Sequence, residues 1–237
     1  MLLYETPLKI ELIEYNLFVN GTQHPKATRL LRDMRKTLVG YEPEDANIEA
    51  YYMYRNVYRN GDLRYDVTVI PAIKFGNENA KTHGHYHPGS DDGMGYPELY
   101  QVLKGSALFI LQKKNRNGSV DVMIVRADEG DTVLLPPGYG HVTINRDGVP
   151  LVLANVVCAR FESLYDEYAE HRGAAYYYMN DGAIVQNSNY VVRKSENLPA
   201  KELNARHGFV CKDILAEVFA DPAKFAFLAK PSLIFKQ

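Results

Sequence analysis

The sequence predicts a mainly β fold, a small antiparallel sandwich or barrel with helical segments at its two ends. Three observations carry that expectation. From about residue 47 the chain breaks into short β-rich runs of regular spacing, each closed by a turn signal. No helical run interrupts them before the C-terminal part. Helical spacing of apolar residues is confined to a stretch near the N-terminus and to the residues after about 196. Strands in such succession pair with their neighbours through short turns, which makes an antiparallel all-β core.

Taken in order, the elements begin with MLLYETPLKIELIEYNLF, which has neither a basic start nor an uninterrupted apolar run. It reads as a mature cytoplasmic N-terminus. TRLLRDMRKTL, residues 28–38, carries apolar residues at helical spacing and predicts a short helix ending near Gly40. The strand-like runs follow: IEAYYMYRNVYR, the turn NGD, then LRYDVTVIPAIKFG. After them come ELYQVLKGSALFILQ, SVDVMIVRA, TVLLPPGYGHVTIN and LVLANVVCARF, separated by the turns KKNRNG, DEGD and RDGVP. Near the C-terminus VCKDILAEVFA precedes DPAKFAFLAK, where Asp221 can cap a helix and Pro222 take its first position. The expected organisation is one domain over residues 1–195, with a helical extension over residues 196–237 packed on it.

Composition narrows the function classes. A formal charge of -2 with no basic block argues against a nucleic-acid partner. No apolar run approaches membrane-spanning length. Cys158 and Cys211 form no CxxC pair and read as two buried, reduced thiols. Aromatic usage is skewed, with 18 Tyr, 9 Phe and no Trp, so tyrosine is plentiful enough to line a pocket for a polyhydroxy ligand. Sheet packing accounts for most of those tyrosines, because tyrosine favours strands.

The chemistry concentrates in THGHYHPGSDDGMGYPELY, residues 82–100, which holds three of the seven histidines. Alternate residues of a strand point to one face, so His85 and His87 can aim at one point. Glu98 opens the next strand, with Tyr100 on its face. His141 follows a Pro-Pro-Gly turn and shares its face with Thr143 and Asn145. Three imidazoles and one carboxylate make a ligand set for a divalent transition metal, with one or two positions left open for substrate.

The spacing is specific. Gly130, five residues, Pro136, one residue, Gly138, two residues, His141, three residues and Asn145 form one pattern, and Glu98, six residues and Gly105 belong to another. These resemble the two cupin motifs, which place metal ligands in a jelly-roll barrel. Ten residues separate His87 from Glu98, more than the few of the general cupin pattern. That longer gap, with GHYH before it and PELY after it, resembles the cupin-type glucose-6-phosphate isomerases of archaea and some bacteria. RLLRDM, Tyr51 and Tyr54 in YYMY, Thr68 and Thr82 fit the same family, and the resemblance runs from about residue 5 to about residue 180.

The resemblance implies a mainly β cupin jelly-roll with a short N-terminal helix and a C-terminal helical extension. It implies an aldose–ketose isomerase acting on glucose 6-phosphate and fructose 6-phosphate. One divalent metal per subunit would be held by His85, His87, Glu98 and His141, iron first, with manganese, nickel or zinc accepted by the same atoms. Glu98 becomes the candidate base and Tyr100 its neighbour in the catalytic site. Thr68, Thr82 and the backbone N–H of Gly84 become phosphate contacts, with Tyr51 and Tyr165 beside the substrate and His83 outside the ligand set. A tyrosine of archaeal members aligns here with Val157. Phosphate recognition by hydroxyls and amides needs no arginine or lysine cluster, and none is expected. The family implies a homodimer, for which the strand-like KIELIEYNLF is a candidate exchange segment. Two other readings stay open: a metal-dependent dioxygenase with the same ligands, and a sugar-binding or sensor cupin.

Overall fold

The structure, a computed structural model, describes residues 1–40 and 47–236. Ten strands form two sheets that enclose a common core. The larger sheet runs Thr132–Leu135, Glu98–Lys104, Leu151–Cys158, Leu63–Ile70, Glu49–Asn60 and Ala27–Leu30, all antiparallel. The smaller runs Tyr139–Asn145, Ser106–Lys114, Val120–Asp128 and Val192–Pro199, with only the last pair parallel. This is the mainly β jelly-roll arrangement that the sequence predicts.

Strand alternation decides what each face meets. Tyr100, Val102, Leu151 and Leu153 of the large sheet pack between the sheets against Ala107, Phe109, Leu111, Met123 and Val125 of the small one. The opposite face of the large sheet is also apolar. Tyr65, Val67, Val69, Leu99, Ala154 and Val156 are covered by N-terminal hairpin residues such as Ile10 and Leu17, by Phe209, and by Ile214, Leu215, Val218, Phe225 and Phe227 from the C-terminal helices. Strands covered on both sides read as nearly continuous apolar runs, which is the texture of LVLANVVC.

Three expectations shift. TRLLRDMRKTL is not one helix: Ala27–Leu30 is an edge strand paired with Glu49–Asn60, and only Leu31–Thr37 winds, as a 3-10 helix. The edge offers those first residues backbone partners that an isolated helical turn lacks. The boundary expected at 195 falls inside the strand Val192–Pro199, whose pairing with Val120–Asp128 ties the extension into the small sheet. In the extension, Asp221 makes no side-chain cap, whereas Asp213 accepts the Ala216 N–H at 2.9 Å and caps Ile214–Ala220. KIELIEYNLF lies within the chain's own N-terminal sheet as the hairpin Ile10–Ile13 and Asn16–Val19. Among the described residues no helix is long and apolar enough to cross a membrane.

Candidate metal centre

The ligand-bearing segment is held by backbone pairing. Thr82 N–H donates to Thr143 O at 2.8 Å, His85 N–H to His141 O at 3.1 Å, and His141 N–H back to His85 O at 2.9 Å. Residues 82–85 therefore run along the free edge of Tyr139–Asn145, and the bridge sets His85 directly beside His141. A buried ion pair fixes the start of this segment: Lys81 donates to Glu78 and, at 2.8 Å, to Thr37 O. Glu98 arrives from the other sheet, as the first residue of Glu98–Lys104.

Four side chains converge. One ligand atom from each of His85, His87, Glu98 and His141 lies within 4.8 Å of all the others. His87 Nε2 stands 3.2 Å from His85 Nε2 and 3.3 Å from Glu98 Oε2, and His141 Nε2 is 3.6 Å from that oxygen. Glu98 Oε2 is buried, and among the described residues no group donates a hydrogen bond to it. A bare carboxylate oxygen in that setting is costly unless a cation completes it. The donor set, three imidazoles and a carboxylate, suits a first-row divalent ion.

Protonation agrees with that use. Burial, reinforced by the neighbouring His141 and His87, pushes His85 well below the ordinary histidine range. Burial also lowers His141, to about 4, against the opposing pull of Glu98. For Glu98 burial works upward, but the proximity of His87, His141 and Arg55 outweighs it and holds the carboxyl low. A neutral His85, a neutral His141 and an ionised Glu98 are in the states that bind a metal without releasing protons.

Surrounding groups orient the ligands. His87 Nδ1 lies 2.9 Å from Tyr96 O, so a proton on Nδ1 is donated there and Nε2 is left as the ligand atom. Asn155 Nδ2 donates to Glu98 Oε1 at 2.7 Å and leaves Oε2 facing the histidines. Tyr100 Oη lies 3.1 Å from His141 Nε2, and burial, then the Glu98 charge, keeps its hydroxyl protonated.

The cavity over this centre is lined by Tyr51, Thr68, Thr82, Tyr100 and Tyr165, together with the four ligands and Val157. Tyr51 Oη accepts the His83 N–H at 3.4 Å, and the His83 ring meets Tyr165 edge-on at 5.3 Å. Gly84 stands apart from the lining. Its φ of +83° and the Tyr168 ring, 2.5 Å from where a Cβ would sit, account for the glycine by packing. No arginine or lysine cluster was expected, yet arginines face the site. Arg55 and Arg64 line the cavity, and Arg29 lies 5.5 Å from the ring centre of Tyr165. Asn155, Phe161 and Ser163 also line it without having been expected. No local motif marks the arginines; only strand alternation places them, with Tyr51, Met53 and Arg55 on one face of a strand and Arg64, Asp66 and Thr68 on one face of the next.

Comparison with known proteins agrees with the site. A family model described as "Glucose-6-phosphate isomerase (GPI)" matches residues 23–193. The "Glucose-6-phosphate isomerase" of Thermococcus gammatolerans is 33% identical over 137 residues, 54% of this chain and 68% of that one. The protein of the same name from Thermococcus litoralis is 27% identical over 194 residues, 78% of this chain and 96% of that one. That of Sinorhizobium medicae is 30% identical over 151 residues, 62% and 67% of the two chains. A solved Klebsiella pneumoniae protein, "with double-stranded beta-helix domain", is similar at a TM-score of 0.34 and 17% identity, covering 52% of this chain and 90% of that one. With the family match spanning most of its length, the chain belongs to the glucose-6-phosphate isomerase family, in its cupin form.

Proposed function

We propose that the protein interconverts glucose 6-phosphate and fructose 6-phosphate, with one divalent ion, iron in the first instance, held by His85, His87, Glu98 and His141. The observation that carries this reading is the joining, in one cavity, of that ligand cluster with the hydroxyls of Thr68, Thr82 and Tyr51. A bound divalent cation supplies Lewis acidity to the sugar oxygens at C1 and C2.

The chain's own groups do the rest. Thr82 Oγ1 accepts the Thr143 N–H at 3.0 Å, so its own proton is free for a phosphate oxygen. Thr68 stands on the cavity wall at the same end. Glu98, itself one of the four ligands, is also the base, and Asn155 orients its carboxylate by donating to Oε1. Tyr100, kept protonated, places a hydroxyl beside that carboxylate.

A coupled assay from fructose 6-phosphate, before and after chelation and metal readdition, tests the reading. Activity is expected to vanish with the metal and return with it. Glu98→Gln is expected to lower turnover by about 10²–10⁴-fold while the protein stays folded. Absence of turnover with every first-row divalent ion, or turnover indifferent to chelation, would overturn it.

A further inference from the structure

The isomerase reading leaves the two cavity arginines without a task. Arg64, Asp66 and Thr68 alternate on the strand Leu63–Ile70, so their side chains share the inward face. Pairing fixes their depth. Arg64 is opposite Val157, and Val157 is opposite Glu98, which puts Arg64 in the row of the ligand carboxylate, two strands away. Thr68 lies four residues further along, about 13 Å at the rise of a strand. A phosphate bound at Thr68 and Thr82 therefore leaves the other end of an open-chain sugar at the level of Glu98 and Arg64.

Asp66 is the device that holds the arginines there. Its side chain is 2% exposed, and it accepts Arg64 Nε at 2.9 Å, Arg55 Nη1 at 3.1 Å and the Asn56 N–H at 2.8 Å. The last contact depends on a bulge. Register is lost between Tyr54 and Tyr58, and Asn56 has a φ of +57°. Bulges beside active sites re-aim side chains, and this one brings Arg55 and the Asn56 amide to a single carboxylate. Arg64 spends only Nε on Asp66, and among the described residues no protein group accepts from its two Nη nitrogens. Two guanidiniums against one carboxylate leave a net positive charge on the cavity wall.

We propose that Arg64, steadied by Asp66 and accompanied by Arg55, contacts the substrate at its C1–C2 end and compensates the negative charge that develops there. The proposal rests on the sugar-phosphate reading above. In the aldose-to-ketose direction the C2–H bond breaks, its proton passes to Glu98, and its electron pair shifts to make an enediolate across C1 and C2. The pair then takes the proton back at C1 while the hydroxyl proton of O2 passes to O1, leaving the carbonyl at C2, so nothing external is oxidised or reduced. Negative charge on O1 and O2 is greatest at the enediolate, and a guanidinium in reach stabilises it more than the neutral substrate. The same wall then prefers a six-carbon phosphate with a carboxylate at C1 over one with a hydroxyl there.

Calorimetric titration of the metal-loaded, full-length protein with 6-phosphogluconate and with sorbitol 6-phosphate tests this. Arg64→Met is expected to weaken the carboxylate ligand by roughly 10–100-fold, as for loss of a charged hydrogen bond, and the hydroxyl ligand by less than about 3-fold. Arg64→Lys is expected to recover part of the difference, and kcat to fall more than KM rises. Should Arg64→Met fold poorly, the double variant Arg64→Met, Asp66→Asn removes the orphaned charge and is read in the same way. Equal weakening of both ligands, or none for the carboxylate, overturns the role of Arg64 alone. Failure of the wild type to bind either ligand overturns the sugar-phosphate reading and this proposal together.

Discussion

The strand Leu63–Ile70 separates two environments that share a backbone. Tyr65, Val67 and Val69 point outward, fully buried among Ile214, Leu215, Val218 and Phe225 of the C-terminal helices. Arg64, Asp66 and Thr68 point inward and gather charge and hydroxyls around the metal ligands. Consecutive residues thus serve opposite ends, one face contributing cohesion and the other chemistry. The pleat insulates them, because neighbouring side chains on opposite faces do not touch. It follows that outward substitutions should change stability with the site intact, and inward ones should change binding or turnover with stability nearly intact.

The largest expected stability effect is on the outer side. Phe225 has no exposed surface and packs among Phe209 and the large sheet. Phe225→Ala is expected to cost about 3–5 kcal/mol, lowering the melting temperature by roughly 2–4 °C per kcal/mol for a chain of this size. Metal content and turnover per folded molecule should be unchanged. A parallel fall in either would break the separation of the two faces.

An inward change of intermediate size sharpens the contrast. Asn155 is buried, lies opposite both Tyr100 and Asp66, and donates to Glu98 Oε1. Asn155→Ala frees Glu98 to rotate. Groups that orient a metal ligand are worth about 10–100-fold in metal affinity or activity, and that loss is expected here in a metal titration. The melting temperature of the metal-free protein should fall less than in Phe225→Ala. A larger fall would make Asn155 a structural residue first.

The two faces also differ in how far the sequence reveals them. The four metal ligands stand in two short segments with local signatures, an alternating histidine pair and a Pro-Pro-Gly turn, so their convergence is readable without the fold. The β-rich core is readable for the same reason, since each run carries its own alternation and turn. Arg55, Arg64 and Asn155 carry no local mark. Arg55, in a tyrosine-rich strand, looks like a solvated residue until Asp66, on the neighbouring strand, is seen to hold it. Gly84 shows a second reason for its residue type that the sequence does not reveal: the Tyr168 ring packs where a Cβ would sit. The edge strand Ala27–Leu30 was hidden by a helix-like apolar pattern, because its pairing partner lies on Glu49–Asn60.

The smallest expected effect distinguishes two aspartates of the outer layer. Asp213 and Asp221 each precede a helical segment, and Asp221 with its following proline has the stronger sequence signature. Yet Asp213 Oδ1 accepts the Ala216 N–H at 2.9 Å, while Asp221 makes no side-chain cap. The helix that Asp213 caps is also tied to the large sheet, because Ile214 N–H donates to Gln101 Oε1 at 2.9 Å and Gln101 Nε2 donates to Lys212 O at 3.1 Å. Loss of the cap therefore leaves the helix docked, and Asp213→Ala is expected to cost about 1 kcal/mol. Asp221→Ala removes no such bond and is expected to stay within about 0.5 kcal/mol of wild type. Urea midpoints compared at a common slope measure both. Equal costs would mean that the start of Ile214–Ala220 is held by Gln101 and apolar packing, with the Asp213 contact contributing nothing of its own. In neither variant should metal affinity move, since both aspartates lie on the outer side of the sheet that carries Glu98.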